Sequence, residues 1–260
     1  MPSGRESASA GAASDSSAAG RSLSVLSLLA SEGRPLSLAD LAARLALPKA
    51  TAHRICEQLV DAGYLARDVG ERSFSAGPSL HRLALDTLNR GVVRGLRHDV
   101  LAELVGRIGE TCNFTTLDGS RVLYIDRVEA AWPLRLTLDV GSHVPLHCTA
   151  SGKLFLAMMS EDAREEVRTG LTLPRRTPRT ITSARALRAE CADIAKAGYA
   201  CDRAEFIPGL IAVAVPVHDT AGDVRAAIAV HAPEARMSLR RAVGQLAAMR
   251  TAAKRMQSLL

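Results

Sequence analysis

Two short segments of the sequence carry residues whose types and spacing can do chemistry. In the first, His147 to Lys153, small residues follow Thr149, which is well placed to cap the start of a helix. The N–H groups of a first helical turn have no partner within the helix, and small side chains leave them accessible to a ligand. We therefore expect this segment to bind an anion such as a carboxylate.

The second segment, Lys49 to Arg54, places basic and hydrogen-bonding side chains at the start of another predicted helix. Arg54 can hold guanine or phosphate through two hydrogen bonds, and His53 can reach a base edge. Lys49 and Thr51 can bind phosphate. These positions are typical of a recognition helix, although polar residues on a helix face are often only a solvated surface.

Composition and length limit the classes of protein to consider. The chain has 260 residues, enough for two domains, and no apolar run approaches the roughly 20 residues needed to cross a bilayer. Met1 to Gly20 is nearly all Ser, Ala and Gly, which predicts a disordered tail without a signal peptide, and hence a cytoplasmic protein. The five cysteines are widely spaced and form no Cys-x-x-Cys pair, so we expect no disulfide framework and no metal site. There is no Gly-x-Gly fingerprint for a dinucleotide, and we expect no cofactor.

The net charge of +6 suits a polyanion-binding protein but does not locate the binding site. Residues 21 to 93 carry a net charge of +2 and residues 94 to 260 carry +5. The positive excess is therefore not concentrated around Lys49 to Arg54, and the DNA-binding prediction depends on the pattern of helices.

The elements around Lys49 to Arg54 have the order of a winged helix-turn-helix. A helical stripe covers residues 22 to 31, and Ser37 begins a short helix with Asp40 in a capping-box position. A longer helix runs from Pro48 or Lys49 to Ala62, and residues 64 to 77 form two β-prone stretches around turn residues. We predict a DNA-binding domain over residues 21 to 78.

The rest of the chain predicts an α+β domain over residues 92 to 260, joined to the first by a linker helix over 79 to 91. A second helix places Val93, Leu96, Val100, Leu104 and Ile108 at core spacing. Asp118-Gly119 indicates a hairpin, followed by a third strand from Leu134. The remaining expected elements are helices at 150–159, 161–169 and 184–197, strands near 199–203, 211–217 and 224–231, and a last helix from Ser238. Together they predict an antiparallel sheet of about six strands flanked by helices.

Three stretches in this order resemble the isocitrate lyase regulator (IclR) family, and the resemblance extends from Arg21 to Leu260. They read SLADLAARLALPKATAHRICEQLVDAGYL, VPLHCTASGKLFLA and DRAEFIPGLIAVAVPVHDTAGDVRAAIAVHAP. The resemblance implies a winged helix domain, a linker helix that helps to pair two subunits, and a GAF-like or PAS-like sensor domain for small carboxylic or aromatic acids. It also implies double-stranded operator DNA as a partner and a homodimer or dimer of dimers.

The resemblance places the effector pocket at eight positions and agrees with the helix pattern on the DNA-binding residues. The pocket positions are Val144, Ala150, Ser151, Asp202, Leu210, Ala212, Ala229 and His231. The expected DNA-binding residues are Ser37, Lys49, Ala50, Thr51, His53, Arg54, Arg67 and Arg72. Ala50 stands where Ser is common in the family, which removes one phosphate contact. Arg67 and Arg72 flank the wing turn, but Asp68 and Glu71 beside them fit a solvated tip equally well.

Three pocket residues carry expectations about the effector. An ionised Asp202 would repel a carboxylate, so we expect it to accept from a hydroxyl, an amide or water. A hydroxy acid or a polar aromatic acid would fit this role of Asp202. Ala229 and His231 stand where some relatives in the family carry Ser, so hydroxyl donors are lost and an imidazole that can be cationic is gained. We expect an enlarged pocket, which favours an aromatic or longer acid over the smallest acids such as glyoxylate or pyruvate. His231 is alternatively a strand histidine satisfied by backbone groups.

Trp132 either covers the pocket or packs at a subunit contact.

Enzyme readings fit the sequence poorly. Ser151, His147 or His231, and Asp202 are the residue types of a hydrolase, but there is no Gly-x-Ser-x-Gly motif. Gly152-Lys153 lacks both flanking residues of a phosphate-binding loop. We predict a ligand-responsive transcription regulator rather than an enzyme. The alternative is an architectural DNA-binding dimer whose second domain only oligomerises.

Overall fold

The computed structural model describes residues 17–32, 34–68, 73–89, 91–133, 138–160, 164, 167 and 170–260. The chain divides into two compact units, with the boundary between Thr87 and Leu88. Within the described residues, every helix is too short or too polar to cross a membrane.

The first unit contains helices around a small antiparallel sheet. Its elements are α1 (Ala18–Glu32), β1 (Leu36–Ser37), α2 (Leu38–Arg44), α3 (Lys49–Asp61), β2 (Leu65–Arg67) and β3 (Ser73–Ala76), followed by α4 (Pro78–Asn89), which extends past the boundary. The strand order is β1-β3-β2, and β1 is a strand that the sequence pattern did not predict. The residues that would close the turn between β2 and β3, 69 to 72, lie outside the described residues.

Capping explains where α1 and α2 begin. The Ser37 hydroxyl accepts a hydrogen bond from the Asp40 N–H at 3.1 Å, and Asp40 accepts from the Ser37 N–H, so the predicted capping box is confirmed. Helix α1 begins at Ala18, so the predicted disorder is wrong for residues 18 to 20. The Ser17 hydroxyl stabilises the start of this helix by accepting a hydrogen bond from the Gly20 N–H. The rest of that tail, residues 1 to 16, lies outside the described residues.

The second unit is built on a six-stranded antiparallel sheet, which confirms the predicted fold class. The strand order is β6-β5-β4-β9-β8-β7. Its elements are α5 (Val92–Ile108), β4 (Thr111–Asp118), β5 (Arg121–Val128), β6 (His143–Pro145), α6 (Ala150–Met158), α7 (Ala184–Ala197), β7 (Ala200–Arg203), β8 (Leu210–His218), β9 (Val224–Pro233), α8 (Leu239–Val243) and α9 (Leu246–Gln257).

The two faces of this sheet pack against different helices. One face buries aliphatic residues of β8 and β9 against α5, α8 and α9. The other face packs against α6 and α7 and has small residues, including Ala214 and Ala229, at its centre. Cross-strand pairing places Asp202 opposite Ala212 and Ala212 opposite His231, so these three residues share the face toward α6.

Three local expectations differ from the structure. Residues 134 to 137 of the expected third strand lie outside the described residues, while 138 to 140 are irregular and the strand that completes the sheet is β6. The last helix is two helices, because the chain turns at Gly244 between α8 and α9. Val93 and Leu96 on α5 are exposed, and the buried stripe begins with Arg97 and Val100. Most of the expected helix 161–169 lies outside the described residues.

Candidate functional site

Helix α3 presents the predicted DNA-binding residues on the side opposite to its core contacts. Ala52, Ile55 and Cys56 are buried, which fixes the rotation of the helix. The outward positions are at the N-terminal end: Lys49, Ala50, His53 and Arg54 are exposed and Thr51 is half-buried. This arrangement presents two cationic side chains and an imidazole to a partner.

Several of these side chains have neighbours within the unit. The Arg54 Nη1 atom lies 3.4 Å from Gln58 Oε1, and His53 Nε2 lies 3.8 Å from Glu57 Oε1. Arg67 pairs with Glu57, and its guanidinium stacks over the Phe74 ring at 5.2 Å from the centroid. Arg67 is thus held beside α3.

The other two predicted DNA-binding residues are Ser37 and Arg72. The Ser37 hydroxyl is engaged in the capping box, where it also donates to the Asp40 carboxylate at 2.7 Å. Arg72 lies outside the described residues.

The eight predicted effector residues come together around one cavity between α6 and the sheet. Five further residues line it, which the sequence did not single out: Asn113, Tyr124, Leu138, Thr149 and Phe206. Thr149 was recognised only as a helix cap. The cavity has a volume of about 20 Å³, enough for a single water molecule. The expectation of an enlarged pocket is therefore wrong for this conformation.

The start of α6 forms one wall of the cavity. The Thr149 hydroxyl accepts from the Gly152 N–H at 3.1 Å and donates to the Pro145 carbonyl at 2.7 Å, which fixes the first turn. Gly152 packs so closely on Leu146 that a Cβ atom would lie 2.4 Å from the Leu146 carbonyl oxygen. Ala150 and Ser151 therefore face the cavity at the positive end of the helix.

Asp202 lines the same cavity as this helix end and is 3% exposed. Burial raises the pKa of Asp202 to about 7, and the negative charge of Glu205 adds to this effect. The Asp202 Oδ1 atom accepts a hydrogen bond from the Glu205 N–H at 2.7 Å. Near neutral pH the carboxyl is thus partly protonated, and its neutral form can donate to an anion rather than repel it.

A buried ion-pair cluster supports the turn that follows Asp202. Lys153 is fully buried; its ammonium pairs with Glu205 and lies 3.0 Å from Glu190 Oε1. Arg203 donates to the same Glu190 oxygen at 2.7 Å. Because Glu205 also holds the Asp202 carboxyl through its backbone N–H, this cluster positions a cavity residue.

His231 is neutral rather than cationic. Burial, together with the positive charges of Arg127 and Arg236, lowers the pKa of His231 to about 3. Its Nδ1 atom lies 2.8 Å from the Asn113 amide nitrogen, so a side chain, not the backbone, satisfies this ring atom. A cationic His231 and a backbone partner for Nδ1 are therefore not found, while the effector-binding role of His231, which lines the cavity, stays a prediction.

Trp132 packs outside the cavity. Its indole N–H donates to the Gly109 carbonyl at 2.8 Å, and the Arg236 guanidinium lies 4.7 Å from the ring centroid. Of the described residues that line the cavity, none is a tryptophan. The suggestion that Trp132 covers the pocket is not supported by this arrangement.

Comparison with known families accounts for both units. The model for the IclR helix-turn-helix domain matches residues 18–69, and the model for the bacterial transcriptional regulator IclR C-terminal domain matches residues 86–258. The chain belongs to the IclR family. It is a transcriptional regulator with a DNA-binding helix-turn-helix and a ligand-binding C-terminal domain, and it is not an enzyme.

Individual IclR-family proteins show similarity along most of the chain. A protein named as a probable transcriptional regulator, SauR of Cupriavidus necator, is 42% identical over 239 residues, which cover 92% of this chain and 95% of the relative. The Thermotoga maritima IclR structure has a TM-score of 0.62 at 26% identity and covers 92% of this chain and 96% of its own.

A second solved IclR-family structure contains a bound ligand. The IclR homolog from Microbacterium hydrocarbonoxydans, complexed with 4-hydroxybenzoate, has a TM-score of 0.58 at 27% identity; the match covers 94% of this chain and 99% of that one.

Proposed function

We propose that this regulator binds double-stranded operator DNA through α3 and adjusts its affinity in response to a small organic carboxylic acid, aromatic or hydroxylated, bound in the cavity. We also propose that it acts in the cytoplasm as a homodimer or dimer of dimers. The observation that carries the proposal is the convergence of Asp202, His231 and the start of α6 on one cavity. The 4-hydroxybenzoate in a structural relative supports an acid as the ligand class.

The cavity offers a carboxylate two kinds of donor. The first-turn N–H groups at Ala150 and Ser151 carry the partial positive charge of the helix end. Asp202, when protonated, donates an O–H to an oxygen of the ligand. The apolar walls at Val144, Leu210 and Ala212 limit the access of water to these donors, which strengthens their hydrogen bonds to a ligand.

The small volume of the cavity links binding to a change in structure. With room for about one water, the cavity admits an organic acid only if residues of its walls move. A ligand that binds the opened arrangement better than the closed one shifts the population toward it. Because α4 carries the chain from the first unit to the second, we propose that it transmits the change to α3.

A thermal-shift screen of the purified chain against short-chain, hydroxy and aromatic carboxylic acids tests this function. A ligand that binds only the folded protein raises the melting temperature. We expect one chemical class of acid to raise it and Asp202→Ala to abolish the rise. If no acid raises it, the ligand-binding proposal fails and the closed cavity favours the alternative in which the second unit only oligomerises.

A further inference from the structure

Three polar side chains form a chain of hydrogen bonds across neighbouring strands of the sheet. The Arg127 Nη1 atom on β5 lies 3.1 Å from Asn113 Oδ1 on β4. The Asn113 Nδ2 atom lies 2.8 Å from His231 Nδ1 on β9. Asn113 is fully buried, and His231 is 6% exposed, so water does not compete for these contacts. This relay begins outside the cavity lining and ends in it.

Hydrogen-bond chemistry fixes the direction of the relay. A guanidinium has only donors, so the Asn113 atom that faces Arg127 must be the oxygen. The amide NH₂ then faces His231, and because it too can only donate, Nδ1 must accept. A neutral imidazole carries one proton, which is left on Nε2.

The surroundings of His231 keep the ring neutral. Burial is the main cause that lowers its pKa, and Arg127 and Arg236 disfavour a further positive charge. Glu110 accepts hydrogen bonds from Arg236 with both carboxylate oxygens, at 2.6 and 2.7 Å. The negative charge of Glu110 is therefore paired with Arg236 rather than with the His231 ring. The imidazole therefore has one donor and one acceptor, and the acceptor is occupied.

We propose that Arg127 and Asn113 are positioning residues that set His231 as a neutral Nε2–H donor in the cavity. This inference rests on the proposed function and deepens it by stating what the effector presents at this point. Asn113 engages the ring at Nδ1, and His231 lines the cavity, so Nε2–H is the ring donor left for the effector. The effector must therefore direct an acceptor oxygen, of a carboxylate, carbonyl or hydroxyl group, at His231. A primary ammonium group, which can only donate, is excluded from this position.

Nitrogen NMR of the isotope-labelled, ligand-free full-length protein tests the relay directly, because a protonated ring nitrogen and one with a free lone pair have distinct shifts. At neutral pH we expect the His231 ring to carry its proton on Nε2 and to have no proton on Nδ1. His231→Gln, which loses only the His231 signals, provides the assignment. Protonated Nδ1 in the wild-type protein, or a doubly protonated ring, would overturn the inference.

Asn113→Asp tests whether Asn113 imposes this state. A carboxylate cannot donate to Nδ1, so we expect a proton to appear on Nδ1 in this variant. Asn89→Asp makes the same chemical change on α4 and should leave the His231 signals unchanged. If Nδ1 stays unprotonated in Asn113→Asp, Asn113 does not set the tautomer of His231. A lower stability of this variant would by itself show only a structural role for Asn113.

A ligand experiment separates this inference from the proposed function. With 4-hydroxybenzoate as the probe, His231→Gln should bind within about threefold of the wild-type affinity, because a glutamine amide also donates. His231→Leu should bind about tenfold more weakly, the effect of one lost hydrogen bond in a buried site. Equal binding by both variants contradicts the donor role of His231. If neither the wild-type protein nor any variant binds an acid, the proposed function fails. The NMR experiment then still tests the hydrogen-bond relay independently.

Discussion

At the scale of single residues, Asp202 is a carboxylic acid that the fold holds partly protonated near neutral pH. Burial raises its pKa from the ordinary 3.8 to about 7, so the folded protein binds a proton there more tightly than the unfolded chain. The stabilising effect of this protonated form is fully present below pH 4 and is lost as the pH rises through 7. Ionisation of Asp202 therefore lowers the free energy of unfolding at higher pH.

Asp202→Asn should remove this loss of stability. The amide keeps an oxygen to accept from the Glu205 N–H but cannot ionise. We expect the variant to gain stability over wild type between pH 4 and 7, by up to roughly 4 kcal/mol above pH 7, measured by urea unfolding across this range.

Asp219→Asn is the matched control for that experiment. The hydrogen bond from Arg225 holds the pKa of Asp219 below its usual range, so its stabilising effect is present at neutral pH and is lost as the pH falls. The two variants should therefore show opposite trends with pH. Parallel curves for Asp202→Asn and wild type would contradict the raised pKa of Asp202.

The sequence predicted the eight effector positions but not the relay behind them. Family resemblance supplied those positions, and the structure brings them to one cavity. Asn113 and His231 are 118 residues apart, and no spacing rule joins two strands at that separation. The charge state of His231 was also beyond the sequence, because it depends on burial and on Arg127 and Arg236.

At the scale of elements, the contact between α6 and the chain before it depends on a single glycine. A Cβ atom at position 152 would lie 2.4 Å from the Leu146 carbonyl oxygen and 2.5 Å from the Leu146 Cα atom. Both are backbone atoms, which cannot move aside as a side-chain end can. The position of the first turn of α6 against the cavity follows from this close approach.

Gly152→Ala should lower the free energy of unfolding by about 1–3 kcal/mol, since it overpacks a filled site. Gly106→Ala, on an exposed and open position of α5, should instead raise it by about 0.5–1 kcal/mol through helix propensity. Urea unfolding of both variants gives the comparison. Equal effects of the two substitutions would contradict the close contact at Gly152.

Elements with strong local signals were predictable. The Asp118-Gly119 turn gave the β4–β5 hairpin, with Gly119 at a φ of +56°, and the periodic stretch 184–197 gave α7. The short strands β1 and β6 have two and three residues, and each exists only because a neighbouring strand pairs with it. Tertiary pairing of this kind leaves no pattern in a local window of sequence.

At the scale of the whole molecule, the two units separate the two binding tasks. The net positive charge is greater in residues 94 to 260 than in 21 to 93, so charge alone does not identify α3 as the DNA-binding element. The helix pattern predicts this role for α3, which lies within residues 18–69 matched by the IclR helix-turn-helix model. A substitution in one unit should therefore affect one task and spare the other.

Arg54→Ala should weaken binding to an operator selected from random double-stranded DNA by about tenfold or more, with a smaller dependence on salt. The acid-induced thermal shift should stay at its wild-type value. Arg240→Ala removes the same charge from an exposed position on α8 and should leave operator affinity unchanged. Equal losses in both variants would mean that Arg54 contributes only general charge.

We propose that occupation of the cavity controls DNA binding. Fluorescence anisotropy of the selected operator, titrated with full-length protein with and without the acid that gives the largest thermal shift, tests it most directly. We expect the acid to change operator affinity several-fold, and Asp202→Ala to remove this change while retaining operator binding without acid. An acid that binds the protein and leaves operator affinity unchanged would contradict it.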